Sequence, residues 1–256
     1  MKIVVLVKSV PDTWGDRRID LTTGLLDRVT LEQVIDEIDE RAMEVALQCK
    51  DATKAEVVVL TMGPAHAADV LRKSLAMGAD SGVHVLDQSL SGSDLGRTAR
   101  VLAAAISRTG ADLVIAGNES TDGRGGVIPA MIAEHLGMPN ATFLDTVKIS
   151  TDSVSGDRST DYGIATVTAT LPAVISVTER SADPRFPSFK GILSAKKKRI
   201  ETLGLIDLEL DSDGRGAGSI VRSITERGAR QAGTKITDSG DAGVQLADFL
   251  AANRLI

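Results

Sequence analysis

Short apolar runs recur along the first half of the sequence, and each is followed by a stretch with helical spacing. They are Ile3–Val7, Val57–Thr61, Gly82–Leu86 and Leu113–Gly117. Their few polar residues are typical of strands that are covered on both faces of a sheet. Between them, apolar residues share helical faces from Ile38 to Cys49, from Ala67 to Leu75 and from Leu95 to Ile106. This alternation predicts an α/β fold with a mainly parallel sheet flanked by helices.

The pattern changes after Pro139. Alternating segments predict antiparallel strands that extend the sheet, with a turn at Thr151–Gly156. The segments are Ala141–Ser150, Gly163–Thr170 and Ala173–Glu179.

Beyond Leu205 the sequence is polar and rich in glycine until it reaches the amphipathic stretch Val244–Ile256. We predict an α/β domain over residues 1–205 and an extended C-terminal arm with a helix over residues 206–256. Such a helix needs a surface to dock on, and either a partner subunit or the chain's own domain could supply it.

Composition excludes several classes of protein. Hydrophobic residues make up 43% of the 256 residues and charged residues 25%, as in ordinary globular proteins. The net charge of -6 argues against general nucleic-acid binding. Cys49 is the only cysteine, so an intrachain disulfide is excluded. Because no apolar stretch suits a membrane span or a signal peptide, we expect a soluble cytoplasmic protein with no membrane insertion.

A glycine-rich loop follows the apolar run that ends at Gly117. Gly123, Gly125 and Gly126 lead into the helical stretch Val127–Leu136. Glycines allow close backbone approach, and free N–H groups at a helix start favour an anion, so the loop predicts a site for a phosphate-bearing ligand. A tight connection that needs glycine only for its turns is the alternative. Neither a dinucleotide fingerprint nor an NTPase P-loop is present.

Two other loops follow predicted strands and would meet the glycine loop at the same edge of the sheet. The first is Lys8–Trp14 and the second is Thr61–Pro64. In the second, Met62 could line an adenine pocket, although Gly63-Pro64 is also explained as a turn into a helix. In the first, Trp14 is either an interface or ligand contact or a lid over the local core.

Two of the four phenylalanines, Phe186 and Phe189, fall in a proline-interrupted segment where a core element is not expected. They are candidate anchors for a partner, with packing back onto the sheet as the alternative. The basic run Lys196–Arg199 is typical of a solvated helix face, and it could also stabilise a helix C-terminus or meet an acidic partner. The three histidines have no spacing of a metal site or a catalytic triad, so we predict no metal, no catalytic residues and no enzyme activity.

Ordered motifs from Met1 to about Leu203 resemble the beta subunit of electron transfer flavoprotein. The motifs are Val7–Asp12, Asp36–Leu47, Met62–Ala65, Leu75–Asp80, Gly117–Gly126, Leu171–Val174, Asp183–Phe186 and Ala195–Arg199. The form of the glycine loop is similar to that of the actinobacterial branch. The resemblance implies a Rossmann-like sheet of the adenine-nucleotide-hydrolase type.

The resemblance also implies a cofactor site. A structural AMP would lie in the pocket of Gly123–Ile128, with its phosphate on the backbone amides of Gly126, Val127 and Ile128 and its adenine near Leu6, Asp36 and Met62. Lys8, Asn118, Asp122 and Gly125 complete the predicted AMP site. Thr13 and Trp14 would lie near an FAD held mainly by the alpha subunit.

Partners follow from the same resemblance. The residues Phe186, Phe189, Ile192 and Leu193 would dock client dehydrogenases, with Phe189 as the bulky anchor. Two departures from the family pattern affect contacts. Asn118-Glu119 and Gly126-Val127 replace common family residues, which leaves the backbone cradle but not the usual side-chain contacts, and Ser159 stands where relatives have a glutamate near the flavin domain.

The resemblance implies a heterodimer that carries electrons from acyl-CoA or related dehydrogenases to a quinone-linked oxidoreductase. One alternative is a bifurcating type that binds a second FAD in place of AMP. An alternative of another class is a stand-alone adenine-nucleotide hydrolase or a nucleotide-binding stress protein, although the chain lacks the Ser-Gly-Gly-x-Asp-Ser motif of such hydrolases.

Overall fold

The computed structural model describes residues 1–28, 30–210, 217–226, 228–229 and 232–256. The strands in these ranges are β1 (Lys2–Leu6), β2 (Ser9–Pro11), β3 (Gln33–Ile35), β4 (Glu56–Met62), β5 (Ser81–Val85), β6 (Leu113–Gly117), β7 (Asn140–Leu144), β8 (Lys148–Ile149), β9 (Ser153–Thr160), β10 (Gly163–Thr170), β11 (Ala173–Val177) and β12 (Ile200–Leu203). The helices are α1 (Glu37–Thr53), α2 (Ala68–Met77), α3 (Leu95–Ser107), α4 (Ile128–Leu136), α5 (Phe189–Ala195) and α6 (Ala242–Ala252).

A seven-stranded sheet in the order β12-β5-β4-β1-β6-β11-β7 forms the centre of the fold. All six neighbouring strand pairs in it are parallel. Each of the four predicted runs forms a strand within one residue of its predicted ends. The predicted α/β fold with a mainly parallel, Rossmann-like sheet is confirmed.

Helices cover both faces of this sheet. Residues Ile3 and Val5 of β1 belong to one buried cluster, together with the apolar faces of α1 and α2. The intervening Val4 and Leu6 belong to a second cluster, with α3 and α4. Because successive side chains of a strand point to opposite faces, burial on both sides explains why the strands read as unbroken apolar runs.

The antiparallel extension is smaller than the sequence predicts. Strands β8, β9 and β10 form a three-stranded antiparallel sheet, and β2 pairs with β3. The prediction of antiparallel pairing is wrong for β7 and β11, which lie in the parallel sheet. All five residues of β11 are buried between β6 and β7, and this interior place decides their pairing. The predicted turn at Thr151–Gly156 is partly wrong, since β9 begins at Ser153.

The chain divides into two compact units, Met1–Arg222 and Ser223–Ile256. Within the first unit, Leu208 is buried in the cluster that contains α3 and α4. Within the second, α6 has no buried residue. Parts of the predicted arm, residues 211–216, 227, 230 and 231, lie outside the described residues, and the division at residue 205 stays a prediction. No helix in the described ranges is long and apolar enough to cross a membrane.

Candidate functional site

A cleft of about 1880 Å³ opens at the carboxyl edge of the central sheet, where β1, β4 and β6 end side by side. Open parallel sheets bind ligands at this edge. Eight of the predicted AMP-site residues line the cleft, namely Leu6, Lys8, Met62, Asn118, Gly123, Gly125, Gly126 and Ile128. Asp36, Asp122 and Val127 are not among its lining residues.

The glycine loop leads directly into α4, and the backbone N–H groups at its junction with the helix have no acceptor among the described residues. Gly126 has φ +65, in the left-handed region that glycine adopts at little cost. Within the described part of the chain, no residue accepts a hydrogen bond from the N–H of Gly125, Gly126, Val127 or Ile128. Pro129 follows at the first turn of α4 and has no N–H to satisfy. The loop and helix start therefore form the kind of backbone cradle that binds phosphate.

Asp36 fixes the glycine loop to the start of α1. Its carboxylate caps α1 by accepting from the N–H of Ile38 at 3.1 Å. It also accepts from the N–H and the hydroxyl of Thr121, each at 2.7 Å. Asp36 is fully buried, so these three donors satisfy a carboxylate that has no access to water.

Asp122 is the centre of an ion cluster at the loop. Its carboxylate is only 1% exposed and contacts Lys8 Nζ and Arg28 Nη2, each at 2.7 Å. Burial raises the pKa of Asp122, but the charges of Lys8 and Arg28 and the hydrogen bonds from Lys8 and Ser120 outweigh burial and hold that pKa well below its usual range. Asp122 thus stays ionised and keeps Lys8 beside the cleft.

Arg17 and Arg28 tie the loop after β2 to the glycine loop, and sequence reasoning missed both. Arg17 donates to the carbonyl of Thr121 at 2.7 Å and to that of Pro11 at 3.0 Å. Arg28 donates to the carbonyl of Ser9 at 3.1 Å as well as to Asp122. Their only sequence signal is that they are cations in a polar loop, a pattern that usually means solvent exposure.

Asp39 is a further lining residue that sequence reasoning missed. Its carboxylate accepts from the backbone N–H of Lys8 at 2.8 Å and from that of Gly117 at 3.1 Å. It therefore joins the ends of β1 and β6. Burial, and then the charge of Asp36, raise the pKa of Asp39 well above its ordinary value, although both hydrogen bonds act in the opposite direction.

Two buried polar atoms near the cleft have no protein partner. Asn118 and Ser9 line the cleft, and neither Asn118 Oδ1 nor Ser9 Oγ makes a hydrogen bond within the described residues. Buried polar groups are almost always satisfied, so these atoms are suited to a polar ligand or to water.

The residues proposed to face a flavin lie outside the cleft lining. Trp14 is 96% exposed, and its backbone N–H donates to the carboxylate of Asp12 at 3.0 Å. Thr13 is exposed beside it. Packing as a lid over the local core is therefore wrong for Trp14, whereas contact with a flavin or a partner stays a prediction.

The predicted anchors for a client protein are all exposed apolar residues. We define residues 183–195 as the docking segment. Phe186 is 94% exposed, Phe189 is 79% exposed, and Ile192 and Leu193 of α5 are exposed as well. Packing of the two phenylalanines back onto the sheet is wrong. Such exposed apolar groups in a chain with few aromatics are typical of an interaction surface.

Comparison with known proteins gives consistent similarities. The protein-family model of the electron transfer flavoprotein domain matches residues 23–208 of the sequence. The chain is 48% identical over 263 residues to the electron transfer flavoprotein subunit beta of Mycobacterium tuberculosis (strain ATCC 25618 / H37Rv), covering 99% of both chains. It is 32% identical over 271 residues to that of Megasphaera elsdenii, covering 100% of both. It is 34% identical over 218 residues to the caffeyl-CoA reductase-Etf complex subunit CarD of Acetobacterium woodii, covering 84% and 83%.

Proposed function

The chain belongs to the electron transfer flavoprotein family as a beta subunit, and from this premise we propose that it binds AMP in the cleft and presents the docking segment to client dehydrogenases. Family membership makes it an electron-transfer protein associated with a flavin. We propose that it works as a heterodimer with an alpha subunit that makes most of the contacts to one FAD. Electrons would pass from acyl-CoA or related dehydrogenases through this FAD to a quinone-linked oxidoreductase.

The free amides of Gly125 to Ile128 carry the proposal of AMP. A phosphate monoester placed there would accept from several N–H groups at the start of α4, where the helix dipole also favours negative charge. Lys8 Nζ lies beside the loop and adds positive charge. Leu6 and Met62 offer an apolar surface for the adenine ring, and the free Asn118 Oδ1 can accept from a ligand N–H or O–H.

The proposed role of AMP is structural. Of the groups around the loop, Asp36 and Asp122 are already occupied by Thr121, Lys8 and Arg28. They are therefore committed to holding the loop in place and are not arranged as a nucleophile or a general base. The FAD supplies the redox chemistry when bound, whereas this chain binds, orients and docks.

The AMP proposal has a direct test. The heterodimer would be purified and denatured, and the released nucleotide identified by mass spectrometry. We expect one AMP for each heterodimer. Release of no adenine nucleotide would refute the proposal, and release of ATP or ADP would change the ligand but keep the site.

Docking has its own test, which does not depend on the nucleotide. Octanoyl-CoA and a purified medium-chain acyl-CoA dehydrogenase would reduce the heterodimer, with FAD bleaching as the readout. We expect Phe189→Ala to raise the apparent KM for the heterodimer about tenfold, because truncation of a central aromatic anchor costs roughly 1–2 kcal/mol or more. Tyr162→Ala is the control, because Tyr162 is a fully exposed aromatic residue outside the docking segment. An unchanged KM in Phe189→Ala would refute the docking role.

FAD is the second candidate for the cleft. The volume of about 1880 Å³ exceeds the ~300–1,000 Å³ of most small-molecule sites, so the cleft has room for more than an AMP. FAD would place the same adenosine phosphate on the loop. Two flavins for each heterodimer, measured by absorbance after denaturation, would favour FAD and the bifurcating type, whereas one flavin with AMP would favour the first proposal.

A stand-alone nucleotide hydrolase is the less favoured proposal, because the family membership spans the whole chain. The purified chain would be incubated with ATP to test it. We expect no hydrolysis, and release of phosphate at a rate that survives repurification would support the hydrolase instead.

A further inference from the structure

The docking segment is held against α1 by Arg185, the residue just before the exposed Phe186. Arg185 Nε lies 2.7 Å from Glu44 Oε2, and Arg185 Nη2 lies 2.9 Å from Glu44 Oε1. The backbone N–H of Arg185 also donates to Glu44 Oε2 at 3.2 Å. One glutamate therefore fixes both the side chain and the main chain of Arg185, in the bidentate geometry that only arginine offers.

Two further ion pairs reinforce this attachment. Arg185 Nη1 lies 2.9 Å from the carboxylate of Asp51, which follows Glu44 about two turns later in α1. Arg41 Nη1 lies 3.0 Å from the carboxylate of Asp183 and donates to the carbonyl of Ser181 at 3.1 Å. The Glu44 side chain is only 7% exposed, so the central pair is shielded from solvent whereas its two neighbours are more open. The start of the docking segment is thus fixed to α1.

The other end of the docking segment is fixed to α2. Arg72 Nη1 donates to the carbonyl of Ala195 at 2.8 Å, and Lys198 Nζ donates to the carbonyls of Leu75 at 3.0 Å and Ala79 at 2.6 Å. Gly191 lies so close to α2 that an added Cβ would be 2.2 Å from the carbonyl oxygen of Ala76. The segment is therefore held on both sides of its exposed apolar residues.

We propose that Arg185 is a positioning residue for client docking, because its bidentate contact with Glu44 fixes the backbone from which Phe186 and Phe189 project. The inference rests on the proposed docking function. A segment free to move would turn its phenylalanines toward its own surface, and a client would have to order it on binding. Holding a binding element in its bound conformation raises affinity by removing that entropy cost.

The first experiment separates recognition from turnover in the heterodimer. With the medium-chain acyl-CoA dehydrogenase and octanoyl-CoA, we expect Arg185→Gln to raise the apparent KM for the heterodimer about tenfold and to leave kcat unchanged. Arg185→Lys keeps the charge but not the two-point contact, so its KM should lie between that of the wild type and that of Arg185→Gln. Glu56→Gln, which removes a half-exposed ion pair with Lys2, is the control and should change neither constant.

A double variant distinguishes positioning from general stability. If Arg185 acts by presenting Phe189, then Arg185→Gln should add little to the KM effect of Phe189→Ala. The inference is overturned if Phe189→Ala raises KM while Arg185→Gln and Arg185→Lys leave it unchanged, or if the two effects multiply. An unchanged KM in Phe189→Ala would instead refute the docking function itself. Arg185→Lys keeps the test available if Arg185→Gln does not assemble.

Discussion

Thr121 gives two hydrogen bonds to the carboxylate of Asp36, one from its backbone N–H and one from its hydroxyl, each at 2.7 Å. Asp36 begins α1 and Thr121 lies in the glycine loop, 85 residues later. Asp36, which the resemblance places near adenine, therefore supports the glycine loop. Its capping role and its loop role use different oxygens, so substitutions can separate them.

We predict that Asp36→Asn retains the helix cap but loosens the loop. Asparagine is as good a cap as aspartate, whereas its amide nitrogen cannot accept from Thr121. Asp36→Ala should lose both roles, with a cost of about 1 kcal/mol from the cap alone. Thermal unfolding and bound-nucleotide content of the heterodimer would be measured together. Equal nucleotide content in wild type and Asp36→Asn would contradict the proposed support of the loop.

A pair of glycines separates backbone strain from ligand binding. Gly126 and Gly137 have almost the same φ, +65 and +63, at opposite ends of α4. Alanine at either position should cost about 1 kcal/mol of stability. Only Gly126→Ala should also lower the AMP content, because Gly126 lines the cleft and carries one of the free N–H groups whose direction the backbone strain would change. The prediction is wrong if both variants retain AMP equally.

The Asp122 cluster should contribute stability that depends on pH. The folded-state pKa of Asp122 is below its ordinary value of 3.8, so its contribution is fully present above that value and is lost progressively as pH falls from it toward the lower folded-state pKa. Urea unfolding of the heterodimer would compare wild type with Asp122→Asn. Their difference in unfolding free energy should be constant from about pH 5 to pH 7 and should shrink toward about pH 3. A difference that grows on acidification would contradict the assignment.

The close approach of α5 to α2 should be sensitive to one methyl group. Gly191→Ala would place Cβ 2.2 Å from the carbonyl oxygen of Ala76, a main-chain atom that cannot turn aside. We expect α5 to shift and the KM for the client dehydrogenase to rise, while AMP content is unchanged. Gly204→Ala is the control, because a Cβ at Gly204, outside the docking segment, would make only ordinary contacts of 3.6 Å or more. A Gly191→Ala heterodimer with the KM of the wild type would rule out this dependence.

Local sequence patterns predicted much of the site, because they determine backbone conformation whatever the tertiary neighbours are. The apolar run before Gly117, the glycines after it and Pro129 specify a strand, a loop and a helix start, and the structure has all three in place. Exposure of Phe186 and Phe189 was one of two alternatives left open by the sequence, and the structure decides for it, with α5 beginning at Phe189. These features depend on residues within a few positions of one another.

Pairing between distant charges could not be predicted in this way. Arg28 and Asp122 are separated by 94 residues, and Arg185 and Glu44 by 141. Nothing local in the sequence says which opposite charge each of these residues will meet. The prediction of antiparallel pairing for β11 failed for the same reason, since its parallel neighbours on both sides, β6 and β7, are distant in sequence.

The sequence by itself determined the alternation of strands and helices, the glycine loop at the edge of the sheet and the family to which the chain belongs. Periodicity and glycine act through local backbone geometry, which is written residue by residue. Only the tertiary structure decided that Asp36, Asp39 and Asp122 support the site, and that Arg185 anchors the docking segment. Those roles depend on which groups are brought together and removed from water, and burial is a property of the whole fold.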